Sequence, residues 1–201
     1  MKSRLRTRLF TTPLLLLAFS LLCACGPGNE IHLLAIEQPA VSVLPKPNAP
    51  SVTVVEFADK RTDTFAIGKR RDLSAFTTSE SPTLWLSHAL ADAIAQHGLQ
   101  VSYAKNFEQA RKGNPDYIVT GKLQRLWLKE TSATYLEATI EAQFTLANRE
   151  KHLLRENNSA QQSRSWPASS SQAEIMVRDT LRDLIDPIAD KFARTVWTKK
   201  K

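Results

Sequence analysis

The chain has 201 residues, with 27 Lys and Arg against 20 Asp and Glu, a formal net charge of +7 and only two cysteines. That charge does not mark a nucleic-acid-binding domain. Lys2, Arg4, Arg6 and Arg8 precede residue 25 with no acid among them, and Lys199, Lys200 and Lys201 close the chain, so the body between is near neutral and shows no clustered basic face. Cys23 and Cys25 both end the N-terminal apolar run, which leaves the rest of the chain without disulfides, cysteine metal sites or thiol chemistry.

Residues 1–24 have the parts of a secretory leader. After the basic start, Leu9 to Leu22 is apolar apart from Thr11, Thr12, Pro13 and Ser20. The run is shorter than the roughly 20 apolar residues of a comfortable membrane span. Leu22-Cys23-Ala24-Cys25 closes it as a lipobox, with an aliphatic residue at −3, a small one at −1 and Cys25 as the lipid-bearing residue. Cys23 fits less well, because Leu22 at its −1 is too large. Ordinary cleavage near Ala24 and an uncleaved anchor are the competing readings. Gly26, where an Asp would mark inner-membrane retention, resembles the outer-membrane sorting class. Each buried methylene contributes about 0.8 kcal/mol, so the several chains of a lipoprotein cysteine would fix the protein to the membrane.

Residues 25–50 read as a lipidated tether. Five of the ten prolines (Pro27, Pro39, Pro45, Pro47, Pro50) lie there and favour semi-rigid, extended backbone. Within it Ile31 to Ile36 is an apolar patch suited to docking as an edge strand. Residues 51–201 make a single α+β domain facing the periplasm.

Val52 to Phe57 is rich in β-branched residues and predicts a strand. Residues 59–80 are polar and mixed; Phe65-Ala66-Ile67 and Leu73 to Phe76 flank Gly68-Lys69, a pattern for a small hairpin or a mobile loop. Ser81 as N-cap, Pro82 at the first position and Gly98 past the end punctuate a helix carrying Leu86, Leu90, Ala93, Ile94 and His97. Val101 to Ala104 is a short strand, and Asn106 caps a brief helix through Lys112. Three long strands follow. Asp116 to Lys129 contains Gly121, a sign of a bulge or close approach. Tyr135 to Leu146 alternates between Leu136, Ala138, Ile140, Ala142 and Phe144 on one side and polar residues on the other, as a sheet covered on one face requires. Asn148 to Lys151 is a turn, and His152 to Trp166 a more polar edge strand. Ser171-Gln172-Ala173-Glu174 reads as a capping box for a last helix with stripe Val177, Leu181, Leu184, Ile188, Phe192 and Val196, kinked at Pro187. The expected fold is α+β: a mixed, largely antiparallel sheet with two amphipathic helices packed on one face.

Chemistry is sparse. His32, His88, His97 and His152 are scattered without metal-ligand spacing, and no phosphate loop, nucleophile elbow or zinc-hydrolase motif occurs. No cofactor or catalytic residue is assigned. Asp59-Lys60-Arg61-Thr62-Asp63 is the densest polar cluster, either a recognition loop for an anionic or carbohydrate partner or a turn in which Asp59 or Asp63 bonds local amides. Arg70 and Arg71 extend it. Trp85, Trp127, Trp166 and Trp197 belong to the core or its edge, with Trp166 and Trp197 the candidates for an exposed apolar partner surface.

Asp59 to Asp63 after a hydrophobic strand, the Ser81 to Gly98 helix, Leu99-Gln100-Val101, the Asp116-Tyr117-Ile118-Val119 strand and the Val177 to Ala189 helix resemble the YajG-like bacterial outer-membrane lipoproteins. The stretch 155–171 departs from them. The resemblance implies a non-enzymatic, lipid-anchored protein of the outer membrane that faces the periplasm. At fold level the order of elements also resembles the auxiliary lipoproteins of ABC-type lipid transport systems and the N-terminal domain of TolB, which carries function only weakly. The expected role is a binding or assembly module of the cell envelope, partnered by an envelope protein or cell-wall component. The alternative is an accessory subunit of lipid or lipopolysaccharide transport, with an apolar groove between sheet and helices.

Overall fold

The computed structural model describes residues 29–37, 43–165 and 170–199. The leader with Cys25, part of the tether, Trp166 and the last two lysines lie outside these. One mixed sheet holds β1 (Ser51–Val55), β2 (Ala58–Asp59), β3 (Gly68–Lys69), β4 (Ala75–Phe76), β5 (Gln100–Ala104), β6 (Tyr117–Ser132), β7 (Tyr135–Asn148) and β8 (His152–Ser165). Among the described residues three helices accompany it: α1 (Pro82–Ala95), α2 (Phe107–Lys112) and α3 (Ser170–Lys199).

The fold is α+β in class; the long antiparallel part of its sheet is the β6–β7–β8 meander, and β3 and β4 are a second, short antiparallel pair. The other edge of β6 takes β1, β2 and β3 in turn, all parallel to it. Register shows how the three relate. Val54 lies opposite Val119, Ala58 opposite Lys122 and Gly68 opposite Leu128. They are one interrupted strand, which slips by a residue near Phe57 and then extrudes a loop between Lys60 and Ile67. Lys60 N–H donates to the Leu123 carbonyl at 2.8 Å on one side of the loop, and Leu128 N–H to the Ile67 carbonyl at 2.7 Å on the other. β3 and β4 form the small hairpin over residues 68–76.

α1 and α3 cover one face. Leu86, Leu90 and Ile94 of α1, and Val177, Leu181, Leu184, Ile188, Phe192 and Val196 of α3, join the inward residues of β7 in one core. Burying each such side chain contributes about 1.5–3 kcal/mol. The short α2 lies on the opposite face, where Ala110 closes a small cluster with Val55, Ala104 and Ile118. The second face is therefore partly covered, while the outer side of the meander is polar and open.

Two expectations are corrected at the chain's ends. The last helix starts at Ser170, so Ser171 is inside its first turn rather than its cap. Glu174 Oε1 instead accepts the backbone N–H of His32 at 3.1 Å. Ile31 to Ile36 docks as extended chain with a single bridge, Glu30 to Thr77. Ile31 and Leu33 are buried, and Trp85 Nε1 donates to the Leu34 carbonyl at 2.9 Å. α3 runs as one α-helix through Pro187.

Gly121 marks a close approach. A Cβ there would sit 2.4–2.6 Å from the Phe57 ring. That ring is held edge-on to Phe144 with centroids 5.6 Å apart, and Phe57 N–H donates to the buried Ser87 Oγ of α1 at 2.9 Å. Gly121→Ala is therefore expected to cost about 1–3 kcal/mol by overpacking. Gly113→Ala, which meets only a carbonyl at 3.4 Å, should change stability by less than about 0.5 kcal/mol. Urea unfolding of both variants checks the difference.

Candidate functional site

The extruded loop stands beside the stretch of β6 it fails to pair with, Gln124 to Trp127. β6 has its own register shift there, between Leu123 and Arg125. Loop and strand together line a cleft of about 440 Å³ walled by Arg61, Thr62, Asp63, Gln124, Arg125, Trp127 and Glu141. Arg125 and Trp127 are brought to it by alternation along β6, and Glu141 lies directly opposite Arg125 on β7.

Inside the loop, charges close on each other. Arg61 Nε donates to both Asp59 carboxylate oxygens, at 3.0 and 3.2 Å, and Nη2 to Asp59 Oδ2 at 2.8 Å. The Arg61 backbone N–H adds a bond to Oδ1 at 3.0 Å, and Nη2 also reaches the Thr64 carbonyl at 3.2 Å. Such a bidentate, charge-assisted pair is the strong form of the hydrogen bond. The Arg61 side chain is only 4% exposed, and its Nη1 is buried without a protein partner. Partial burial pushes the Asp59 carboxyl up, but the hydrogen bonds and charge of Arg61 outweigh it and hold the pKa below the usual value. Asp63 Oδ1 accepts from the N–H groups of Phe65 and Ala66 at 3.0 and 2.9 Å. Both aspartates thus fix the turn, the pattern in which an Asx side chain replaces a backbone acceptor.

The structure divides the sequence-derived cluster. Asp59 and Arg61 form the clasp. Lys60, Thr62 and Phe65 face outward, Phe65 with 78% of its surface exposed. Arg70 turns away from the cleft. Its Nε donates to Glu130 Oε2 at 3.1 Å and its Nη1 to Asn29 at 2.9 Å, fastening the N-terminal segment to β6. Arg71 is exposed beside Leu73, which is 78% exposed at a φ of 70°. Arg125, Trp127 and Glu141 belong to the site through the β6 bulge and cross-strand pairing. Of these, only Trp127 stands out in the sequence, as a tryptophan of the core or its edge.

The cleft offers a held guanidinium, carboxylates, an amide and a half-buried indole, which suits binding by hydrogen bonds and ring contact. The histidines lie elsewhere. His32 pairs with Glu80 at 3.0 Å, His88 stacks on Tyr103 at 4.4 Å, and His97 borders a separate cleft between α1 and α3. Among the described residues no group of His, Cys, Asp and Glu is arranged to hold a metal ion, and no helix is long and apolar enough to cross a membrane.

No family model and no curated protein sequence matches the chain. Solved structures share its fold. A Xanthomonas campestris protein of the DUF330 family superposes with a TM-score of 0.54 at 13% identity, over 81% of this chain and 96% of that one. An uncharacterized protein gives 0.53 at 8% identity, over 83% and 97%. Lipoprotein GNA1162 from Neisseria meningitidis gives 0.41 at 14% identity, over 67% and 96%.

The clasp has a pH signature. A carboxyl held below its ordinary pKa stabilises the fold fully above the unfolded-state value, and that contribution is lost as pH falls through the folded-state value. Arg61→Met is expected to lower stability near neutral pH by about 1–3 kcal/mol. The gap from wild type should narrow as pH falls from about 5 to about 2. Urea midpoints across that range test it, and a constant gap would count against the clasp.

Proposed function

We propose that this chain is a lipoprotein of the bacterial cell envelope, attached through Cys25 to the outer membrane and facing the periplasm, where it binds or assembles partners without catalysis. The leader ending in Leu22-Cys23-Ala24-Cys25 supports attachment, and Gly26 supports the outer membrane as its address. The Asp59 to Asp63 cluster and the elements after it support a place beside the YajG-like lipoproteins.

The observation that carries the binding role is the clasped loop. Two aspartates and a buried arginine hold residues 61–65 clear of the sheet, with Thr62 lining the cleft that Trp127 also lines and with Lys60 and Phe65 exposed. Holding a surface in one shape lowers the entropy lost when a partner docks. An exposed phenylalanine rimmed by charges suits a protein surface or the mixed apolar and polar faces of a cell-wall component.

The transport reading calls for an apolar groove between sheet and helices. The cleft between α1 and α3 is of mixed character, with Ile36, Ala89, Ala93 and Ala189 beside Glu37, Arg182, Asp186 and Asp190. Burial pushes the Asp186 carboxyl up there, partly offset by Arg182.

Cys25→Ser is expected to move the protein from the membrane to the soluble fraction of cells; an unchanged membrane fraction would sink the attachment. A photo-crosslinking residue at Phe65 in intact cells is expected to capture the same envelope component repeatedly. Capture of nothing, or equal capture from the far side of the domain, would sink the loop as the binding element.

A further inference from the structure

The sheet ends at β8, which among the described residues pairs with β7 alone. Its register with β7 is unbroken from Leu154 to Ser165. Exposed edges of this length are normally blunted by lysine, proline or a bulge. From Leu154 to Ser165 β8 has no lysine, no proline and no bulge; its charges are Arg155 on the open face and Glu156 and Arg164, of opposite sign, on the helix side. Its outward side chains are Arg155, Asn157, Ser159, Gln161, Ser163 and Ser165, all exposed and mostly small or uncharged. Its helix-side residues reach α3: Glu156 pairs with Lys191 at 2.7 Å, Gln162 with Asp183 at 2.7 Å and Arg164 with Asp179 at 2.5 Å.

We propose that β8 pairs with β8 of a second copy of this chain, antiparallel, about a two-fold axis through Ala160. This surface is separate from the loop, and the inference does not rest on the role proposed for it. Residues directly opposite in a sheet point to the same face, so a two-fold axis normal to the sheet must pass through a residue. Through Ala160 it sets Glu156 against the second copy's Arg164, and Asn158 against Gln162, each twice by symmetry. On the open face it sets Asn157 against Ser163 and Ser159 against Gln161. No like charges meet, and opposite charges facing across strands favour the pair. An axis through Ser159 sets Leu154 against Arg164 and leaves Glu156 facing Gln162. An axis through Gln161 sets Asn158 against Arg164 and carries Glu156 beyond Ser165. Only the Ala160 axis makes the two ionic matches.

The helix beside the strand obeys the same symmetry. The α3 side chains that reach β8 are acidic at one end, Asp179 and Asp183, and basic at the other, Lys191. The two-fold turns the acids of each copy toward the base of the other, so strand and helix are self-complementary in one arrangement. A C2 contact of this kind closes on itself and leaves no further β8 edge to polymerise.

The test uses the full lipidated chain in detergent, with its mass measured by analytical ultracentrifugation over a dilution series. The wild type is expected to be a dimer. Ser159→Lys with Gln161→Lys places two lysine pairs opposite each other across the axis, at positions exposed in the single chain. These substitutions should weaken the dimer at least about tenfold without changing the fold. Mixing that variant with Ser159→Glu/Gln161→Glu should restore a mixed dimer. A wild-type monomer at high concentration overturns the proposal, including one whose β8 amides resist hydrogen exchange because the chain's own segment covers them. A dimer indifferent to the lysines, or a larger assembly, overturns it as well.

Discussion

β6 carries the sheet on its two edges, and its 16 residues impose the constraint from which the rest follows. One edge is filled by β7 along nearly its whole length. The other is shared by β1, β2 and β3, which cannot pair continuously because the chain between them is longer than the stretch of β6 it runs beside. The excess has to leave the sheet. It does so twice, at Phe57, whose ring falls into the space over Gly121, and between Lys60 and Ile67, where residues 61–65 stand out as a loop. Phe57 also bonds to α1 through Ser87, so the first slip fixes the helix layer on the sheet while the second produces the outward surface.

An extruded loop of this size would ordinarily pay for order when it meets a partner. Here the order is built in by local polar chemistry. Arg61 is spent on Asp59 and Thr64, and Asp63 on two following amides, so the charges that look like recognition groups mostly hold the shape. What they hold out is Phe65, with Lys60 and Thr62 at its rim. Arg70, the other prominent cation, ties the N-terminal segment to Glu130 of β6, the strand beside which the loop stands.

Much of the fold was legible because local chemistry and tertiary need agree. Ser81, Pro82 and Gly98 bracket α1, and Asn106 caps α2, with its side chain accepting from Gln109 N–H. The alternation of β7 gives its buried face residue by residue. What was not legible depends on partners distant in sequence. The parallel pairing of Gly68-Lys69 with Leu128-Lys129 leaves no local mark, and neither does the β6 bulge that turns Arg125 and Trp127 toward the loop. The capping-box pattern at Ser171 was a true local signal overridden by a tertiary one, since Glu174 finds the His32 amide instead. At the site, Asp59, Arg61 and Asp63 were visible as a cluster, and both of their possible meanings were open. The hydrogen bonds assign Asp59 and Arg61 to the turn.

The central claim is that residues 61–66, between the Lys60 and Ile67 bonds to β6, are held in one conformation by the Asp59, Arg61 and Asp63 bonds although they pair with no strand. Amide hydrogen exchange measures this directly. The Phe65 and Ala66 amides should exchange far more slowly than those of an open loop, and should lose that protection in Asp63→Ala while β6 and β7 keep theirs. Exchange of Phe65 and Ala66 at the rate of unstructured chain in the wild type would contradict the account.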